Sequence, residues 1–313
     1  MGRYILNRIM WMILILIATA FVVFTLMYLV PGDPAKGLLG PDASYQVLAI
    51  KRHELGIDRP YIVQLGDFLY KTFIKFDLGS SWKFGTPIAK DMAERLPRTL
   101  IIGVSALVLN AFLGTVLGIY AAIHKGKWQD SATMMLAMVL ISVPDFWVAL
   151  MFILLFSAKL GWLPAYGIGS FDHYIMPIIC SSLFGIAINA RQGRSSMLET
   201  IRAEYVVTAR AKGQRENIVV RKHMLPNALM PIITGVAGGL TMVVAGSPIM
   251  ETVFSIPGVG QFMLVGINGL DAPIVRACVM FFALFTSVVI LIMDLCYSFL
   301  DPRIKAQFSH RKG

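Results

Sequence analysis

Six stretches of this chain are each long and apolar enough to cross a lipid bilayer, and no other feature limits its fold as tightly. They run from Ile9 to Val30, Thr99 to Ile123, Ala132 to Ser157, Tyr174 to Asn189, about Ala228 to Met250, and about Arg276 to Leu300. A helix needs roughly 20 apolar residues to span the hydrocarbon core, at 1.5 Å per residue. The runs are continuous rather than alternating, which selects helices over a lipid-facing barrel. The first run follows Arg3 and Arg8 but has no small-residue cleavage site, and it exceeds a signal-peptide core. It is expected to remain as the first span. The fourth is short and contains Pro177.

Composition agrees. Of 313 residues, 57% are hydrophobic and 15% charged, and the mean hydropathy is +0.70. A water-soluble domain carries about a quarter charged residues. The net charge of +10 follows from cationic loops on one side of a membrane. No aromatic-basic module accompanies it, so nucleic acid is not an expected partner. Cys180, Cys278 and Cys296 lie singly in apolar runs, which argues against a disulfide framework or a zinc site. The five histidines are scattered, and the 18 methionines are dispersed in the manner of packing filler.

Six spans place both termini on one side. The N-terminal tail, the 124–130 loop, the 191–226 loop and the tail after Asp301 hold more than half of the 28 Lys and Arg residues. Both termini are therefore expected to be cytoplasmic. Residues 31–98 then form an extracytoplasmic insert, punctuated by Pro31-Gly32 and Gly40-Pro41 and read as mostly short helices. Residues 99–300 form the span core, 251–273 an extracytoplasmic loop that dips back onto the bundle, and 301–313 a cytoplasmic tail.

The loop 191–226 carries the most information. Arg191 and Arg194 read as the anchor of a helix end. Beyond them Leu198, Ile201, Tyr205 and Ala209 recur at helical spacing, with Glu199, Arg202 and Arg210 on other faces. Gly213 is a helix terminator. A basic turn, Gln214–Asn217, leads to a further short helical stretch ending at Leu225-Pro226. Three readings compete: a helix lying on anionic lipid, an ordinary solvated loop, and a docking helix for a cytoplasmic protein. The small residues Ala209, Ala211 and Gly213 favour docking, because they let another surface approach closely.

Here the chain resembles a known family. Permeases of ATP-binding-cassette (ABC) importers carry E-A-A-x-x-x-G with a downstream I-x-L-P. Ala209 takes the second alanine position, Gly213 the glycine, and Leu225-Pro226 the closing pair. Val207 and Thr208 replace E-A, and His223 replaces isoleucine. This divergent form, Thr208–Gly213 after Glu204-Tyr205, is similar to the dipeptide/oligopeptide/nickel branch. An ordered series of short motifs supports the same branch. It includes Pro31-Gly32-Asp33-Pro34, Leu55–Pro60, Asp77–Ser80, Arg95-Leu96-Pro97, Ser142–Trp147, Leu160–Pro164, Glu251–Phe254, Pro257-Gly258 and Asp301-Pro302-Arg303. Ile256 stands where tryptophan is commoner.

The resemblance implies an all-α membrane protein with the type I ABC importer permease fold: six transmembrane helices and an extracytoplasmic insert between the first and second. It implies half of a pathway for peptides, with nickel, glutathione or oligosaccharides as alternatives, in a bacterial or archaeal inner membrane. It also implies partners: a second permease subunit, two cytoplasmic ATPases that bind ATP and Mg, and an extracytoplasmic solute-binding protein. Coupling to the ATPases would fall to Glu204, Tyr205, Ala209, Ala211, Gly213, Leu225 and Pro226. This chain has no G-x-x-x-x-G-K-[ST] loop to cradle nucleotide phosphates, and no G-x-S-x-G or H-E-x-x-H motif. It is expected to be no enzyme by itself, with no cofactor or metal of its own.

Polar residues within the spans mark candidate pathway positions, because a charge at mid-bilayer costs at least about 2.5–3.5 kcal/mol on insertion scales. Asp145, beside the helix-bending Pro144, either lines the solute path, where it would attract a peptide amino group, or makes a structural or subunit contact. Asn110 and Glu251 complete the candidate set, although a structural interhelical hydrogen bond is the favoured role for Asn110, as for Asn189. Asp294 suits a structural pair with a basic residue. Gly114 and Gly118 form G-x-x-x-G, for close helix packing or dimerisation. An ion-coupled transporter would need repeated topology and a midplane site of broken helices. One midplane acid and no repeat argue against it.

Overall fold

The computed structural model describes residues 2–245 and 248–300. The Asp301-Pro302-Arg303 motif and the expected cytoplasmic tail, with His310, lie outside the described residues, as do the side chains of Arg3 and Cys296. Among the described residues every regular element is helical, apart from a lone bridge between Ser80 and Pro87. Five helices among the described residues are long and apolar enough to cross a membrane, and a bent pair makes up to six. The chain forms two compact units, residues 1–98 with 257–313, and residues 99–256.

In the first unit, α1 (Gly2–Leu29) packs against α14 (Ala272–Leu300). Leu16, Ala20 and Met280 are buried there, and Arg8 pairs with Asp294 at 3.0 Å, the kind of structural pair expected of that aspartate. Much of α1 stays exposed, including Met10, Trp11 and Leu14, as suits a helix solvated by lipid. The insert contributes three helices: α2 (Pro34–Leu39), α3 (Tyr45–Leu55) and α4 (Tyr61–Phe73). Asp33 caps α2, accepting from the Ala35 amide at 3.0 Å, and Pro34 opens it. Gly56 ends α3 in the left-handed region at φ +68°.

The helix of the second span begins before the apolar run. Helix α5 runs from Ile88 to Ile123, so about its first ten residues are the last part of the insert, and the division between the two units falls at 98/99, as the insert boundary read from the sequence does. Ile88 and Met92, one turn apart, are buried with Phe262 and Ile274 and give the helix a packed face. Pro97 lies inside it, at the cost of one backbone donor. The predicted loop 251–273 also contains helices, α12 (Pro248–Val253) and α13 (Val259–Asn268). In the first unit α13 packs on α14.

In the second unit the predicted third span is broken. Helix α6 (Trp128–Ser142) and helix α7 (Asp145–Phe152), which continues as a π-helical stretch Ile153–Lys159, meet at 98°. Pro144 has no N–H and pushes Val143 to extended backbone, φ −87° and ψ 128°. Asp145 is therefore the first residue of α7, at the break in the middle of the bent pair.

The helix of the fourth span continues beyond the apolar run: α8 covers Asp172–Ile201 and passes through Arg191 and Arg194, where a helix end is expected. Its later turns bury Ala190, Gly193, Met197 and Thr200. The helix predicted across 198–209 is interrupted at Arg202-Ala203, and α9 (Glu204–Ala211) follows. Beyond Gly213 the chain re-enters a helix at once. Short α10 (Glu216–Ile218), a π-helical stretch Val219–Met224 and α11 (Leu225–Ala245) run on without a loop. Leu225-Pro226 thus opens α11 instead of closing a separate stretch.

Candidate solute cavity and coupling segment

Helices α5, α7, α8, α11 and α12 supply walls to a cavity of about 740 Å³ within residues 99–256. Its lining is mostly apolar, from Ile102, Leu107, Val148 and Met242. A small number of polar groups converge on it, which is the composition of a small-molecule site. Asn189 donates through Nδ2 to Asn110 Oδ1 at 3.0 Å, the interhelical bond expected of these two. Gly185 lies beside the Asn110 amide, and a Cβ there would collide with it. The bend at Pro144 turns Asp145 into the same cavity, with its carboxylate exposed. One oxygen accepts from the Phe146 amide at 2.8 Å, which fixes the side chain at the helix start.

Glu251 also touches the cavity but differs in state. It is 1% exposed, and the Thr99 hydroxyl donates to Oε1 at 2.7 Å. A carboxylate held this way belongs to the wall. Asp145 is the acidic group open to a solute. Sequence reading missed Ser181, whose hydroxyl is buried at the cavity with no hydrogen-bond partner among the described residues. The only available signal was a Ser181-Ser182 pair inside an apolar span.

Close packing of α5 on α8 shapes this region. A Cβ added to Gly114 would lie 2.5 Å from Asn189 Cβ, and one added to Gly118 would lie 2.5 Å from the Ala190 carbonyl. The G-x-x-x-G pair is a packing face within the chain. Towards the far end of α8, Arg194 binds Asp130 through Nε (2.5 Å) and Nη2 (2.8 Å). The Gly126 amide adds a third donor at 3.1 Å.

The coupling candidates lie on α9 and its surroundings. Val206 and Ala209 face inward, packed with Ala122, Met197, Val219 and Met224. The break at Arg202-Ala203 resets the helical register, so Val206 is buried where the periodicity placed Tyr205. Glu204, Tyr205, Val207, Thr208, Ala211 and Gly213 are exposed. Leu225 is half-buried and Pro226 exposed. Gly213 adopts φ +74°, which ends α9 as expected. Arg210 bridges the turn to both oxygens of Glu216, at 3.1 and 2.6 Å, and His223 contacts Gln214 at 2.9 Å. Beside Glu216, the Arg210 guanidinium is held above its ordinary value, chiefly by that hydrogen bond. Small size at Ala209 serves this internal packing, whereas Ala211 and Gly213 leave room for another surface.

Spanning helices around a sparsely polar cavity, with a braced surface helix between two of the spans, define a multi-pass transport permease. Residues 114–306 match the family of binding-protein-dependent transport system inner membrane components, and residues 1–103 match the N-terminal component of such systems. The chain belongs to this family, and its fold is that of type I ABC importer permeases. It is 35% identical to the dipeptide transport system permease protein DppB of Alkalihalophilus pseudofirmus, over 97% of this chain and 100% of the relative. It is 34% identical to the glutathione transport system permease protein GsiC of Salmonella typhimurium, over 97% of this chain and 99% of the relative.

Proposed function

We propose that this chain forms half of the translocation pathway of an ATP-driven importer for short peptides. A second, homologous permease completes the path, two ATPases bind ATP and Mg at the cytoplasmic face, and an extracytoplasmic binding protein delivers the solute. Both termini and α9 face the cytoplasm, as the excess of Lys and Arg in those segments supports. The chain hydrolyses no nucleotide itself.

The observation that carries this reading is the cavity in which Asp145 stands open while Glu251 is tied to Thr99. An exposed carboxylate in a largely apolar chamber attracts the ammonium end of a peptide, and the Asn110–Asn189 pair and Ser181 offer groups for amides. The peptide class also follows from relatives whose names specify dipeptide and glutathione transport. Movement comes from the ATPases. Their closure on ATP pulls the exposed face of α9, and the π-helical stretch ties that motion directly to α11, a cavity wall. Nucleotide thus selects between two arrangements of the bundle.

The test is uptake of a labelled dipeptide by proteoliposomes holding the complete transporter and its binding protein. Uptake should require ATP and should persist when ion gradients are collapsed. Asp145→Asn should lower it at least tenfold for a peptide with a free amino group, with little change in ATP hydrolysis. Uptake driven by an ion gradient without ATP would defeat the reading, and normal uptake by the variant would remove Asp145 from the pathway.

A further inference from the structure

Arg276 stands one turn into α14, in the unit formed by residues 1–98 and 257–313. Its guanidinium carbon lies 5.2 Å from the Phe24 ring centroid, 5.1 Å from Phe68 and 5.8 Å from Trp82. Within this aromatic cage Nε donates to the Ala272 carbonyl at 3.2 Å. Neither Nη has a hydrogen-bond acceptor among the described residues, and no carboxylate there lies within 4 Å of the group. Rings attract the charge through their faces. They do not satisfy the planar fork of N–H donors, which matches a carboxylate or phosphate.

The guanidinium borders two neighbouring cavities of about 250 and 270 Å³ that share Gln64 and Trp82. Arg52 also faces the first cavity, but Asp33 offsets its charge at 2.7 Å. The nearby Asp271 is 2% exposed; one oxygen is taken by the Ser81 hydroxyl and the Lys83 amide, while the other has no hydrogen-bond partner among the described residues and attracts Arg276 only from beyond contact distance. Of the two cations lining the first cavity, Arg276 is the one with no carboxylate within 4 Å among the described residues.

The depth of the site identifies the anion. Helix α4 stacks on α1 through Phe24–Phe68, Phe24–Tyr61 and Tyr28–Tyr61. Its outer face leaves Ile62 and Tyr70 exposed, and Ile74 and Phe76 follow, also exposed. Such a face suits a helix lying in the membrane interface, and Tyr28, Tyr61 and Trp82 are of the residue types that gather at headgroup level. Phosphodiesters stand at that level. The exposed Val22, Leu26 and Leu29 of α1 give an acyl chain an apolar track away from it.

We propose that the cavity lined by Tyr28, Val30, Arg52, Trp82 and Arg276 is a binding site for the headgroup of an anionic phospholipid, whose phosphodiester receives the Arg276 fork. The lipid would join the insert to α1 and α14 as a structural ligand.

The experiment uses the full transporter extracted in mild detergent. Native mass spectrometry counts retained phospholipid in wild type, Arg276→Gln and Val30→Trp. The second variant fills the cavity mouth while keeping the charge and its cage, so it serves if the first fails to fold. Melting is then followed after adding phosphatidylglycerol, phosphatidylcholine or inorganic phosphate. Retained phosphatidylglycerol, a rise in Tm with that lipid alone, and at least fivefold lower occupancy in each folded variant are expected. Equal occupancy in wild type and variants, equal retention of phosphatidylcholine, or full protection by inorganic phosphate would each overturn the proposal.

Discussion

Arg194 and Asp130 meet in a two-point ion pair across 64 residues of sequence. The carboxylate is almost fully buried, and the Gly126 amide supplies its third donor. Removing one partner of such a pair strands a buried charge, which costs about 3–5 kcal/mol, whereas replacing both is far milder. Arg194→Met should therefore lower the Tm of the detergent-solubilised chain strongly. Adding Asp130→Asn to it should restore much of the loss. Equal melting of Arg194→Met and wild type would show that the pair contributes nothing.

Gly114 tests the packing of α5 on α8. The Cβ contacts there are with Asn189 Cβ and the Ile186 carbonyl, neither the loose end of a flexible side chain. Gly114→Val must push the helices apart, at about 1–3 kcal/mol for overpacking. The variant should melt earlier, and the Asn110–Asn189 bond should open. A control at Gly37, where an added Cβ meets nothing within 4 Å, should be close to neutral. Similar melting for the two variants would refute the close approach.

Asp33 makes the insert sensitive to acid. It caps α2 and receives two N–H groups of Arg52, at 3.2 and 2.7 Å. The hydrogen bond from Arg52 is the largest cause holding its carboxyl below the usual 3.8. A carboxylate with a depressed folded value contributes stability that is complete above its unfolded pKa and is lost as pH falls through the folded one. Protection of the α2–α3 region against hydrogen exchange should thus decline below about pH 4. Asp33→Ala should remove that decline and cost about 1 kcal/mol of capping at neutral pH. An unchanged acid profile in Asp33→Ala would assign the decline to other groups.

Much of this architecture was legible because the spans are long and apolar, and lipid permits few ways to satisfy a backbone. Boundaries are harder to read for one recurring reason: polar residues signal helix ends in the sequence, while local partners in the fold let the helix continue. Arg194 is the clearest case. Its charge reads as the anchor of a helix end, but Asp130 pairs with it and α8 runs on to Ile201. Pro144 reads as a bend in the sequence, but the size of the turn, 98°, and the helix start it gives Asp145 do not. Ser181 and the cage around Arg276 were not legible, since each depends on neighbours distant in sequence.

The exposed face of α9 gives the sharpest test of coupling, because two neighbouring substitutions should fail in different ways. Val207 is 57% exposed, while Ala209 is 5% exposed within the chain's own core. An aspartate at position 209 would bury a charge beside Met197 and Met224, so Ala209→Asp should lower the Tm whether or not an ATPase is present. Val207→Asp places its charge in water in the isolated chain and should leave melting unchanged. If the proposed ATPase groove receives this face, the same charge is desolvated only in the complex. Loss of a well-packed contact there costs about 2 kcal/mol, roughly thirtyfold in affinity. Binding-protein-stimulated ATP hydrolysis and uptake should therefore fall together in Val207→Asp, by at least tenfold, with the bundle intact. Uptake at the wild-type rate would mean that the ATPases engage a different surface.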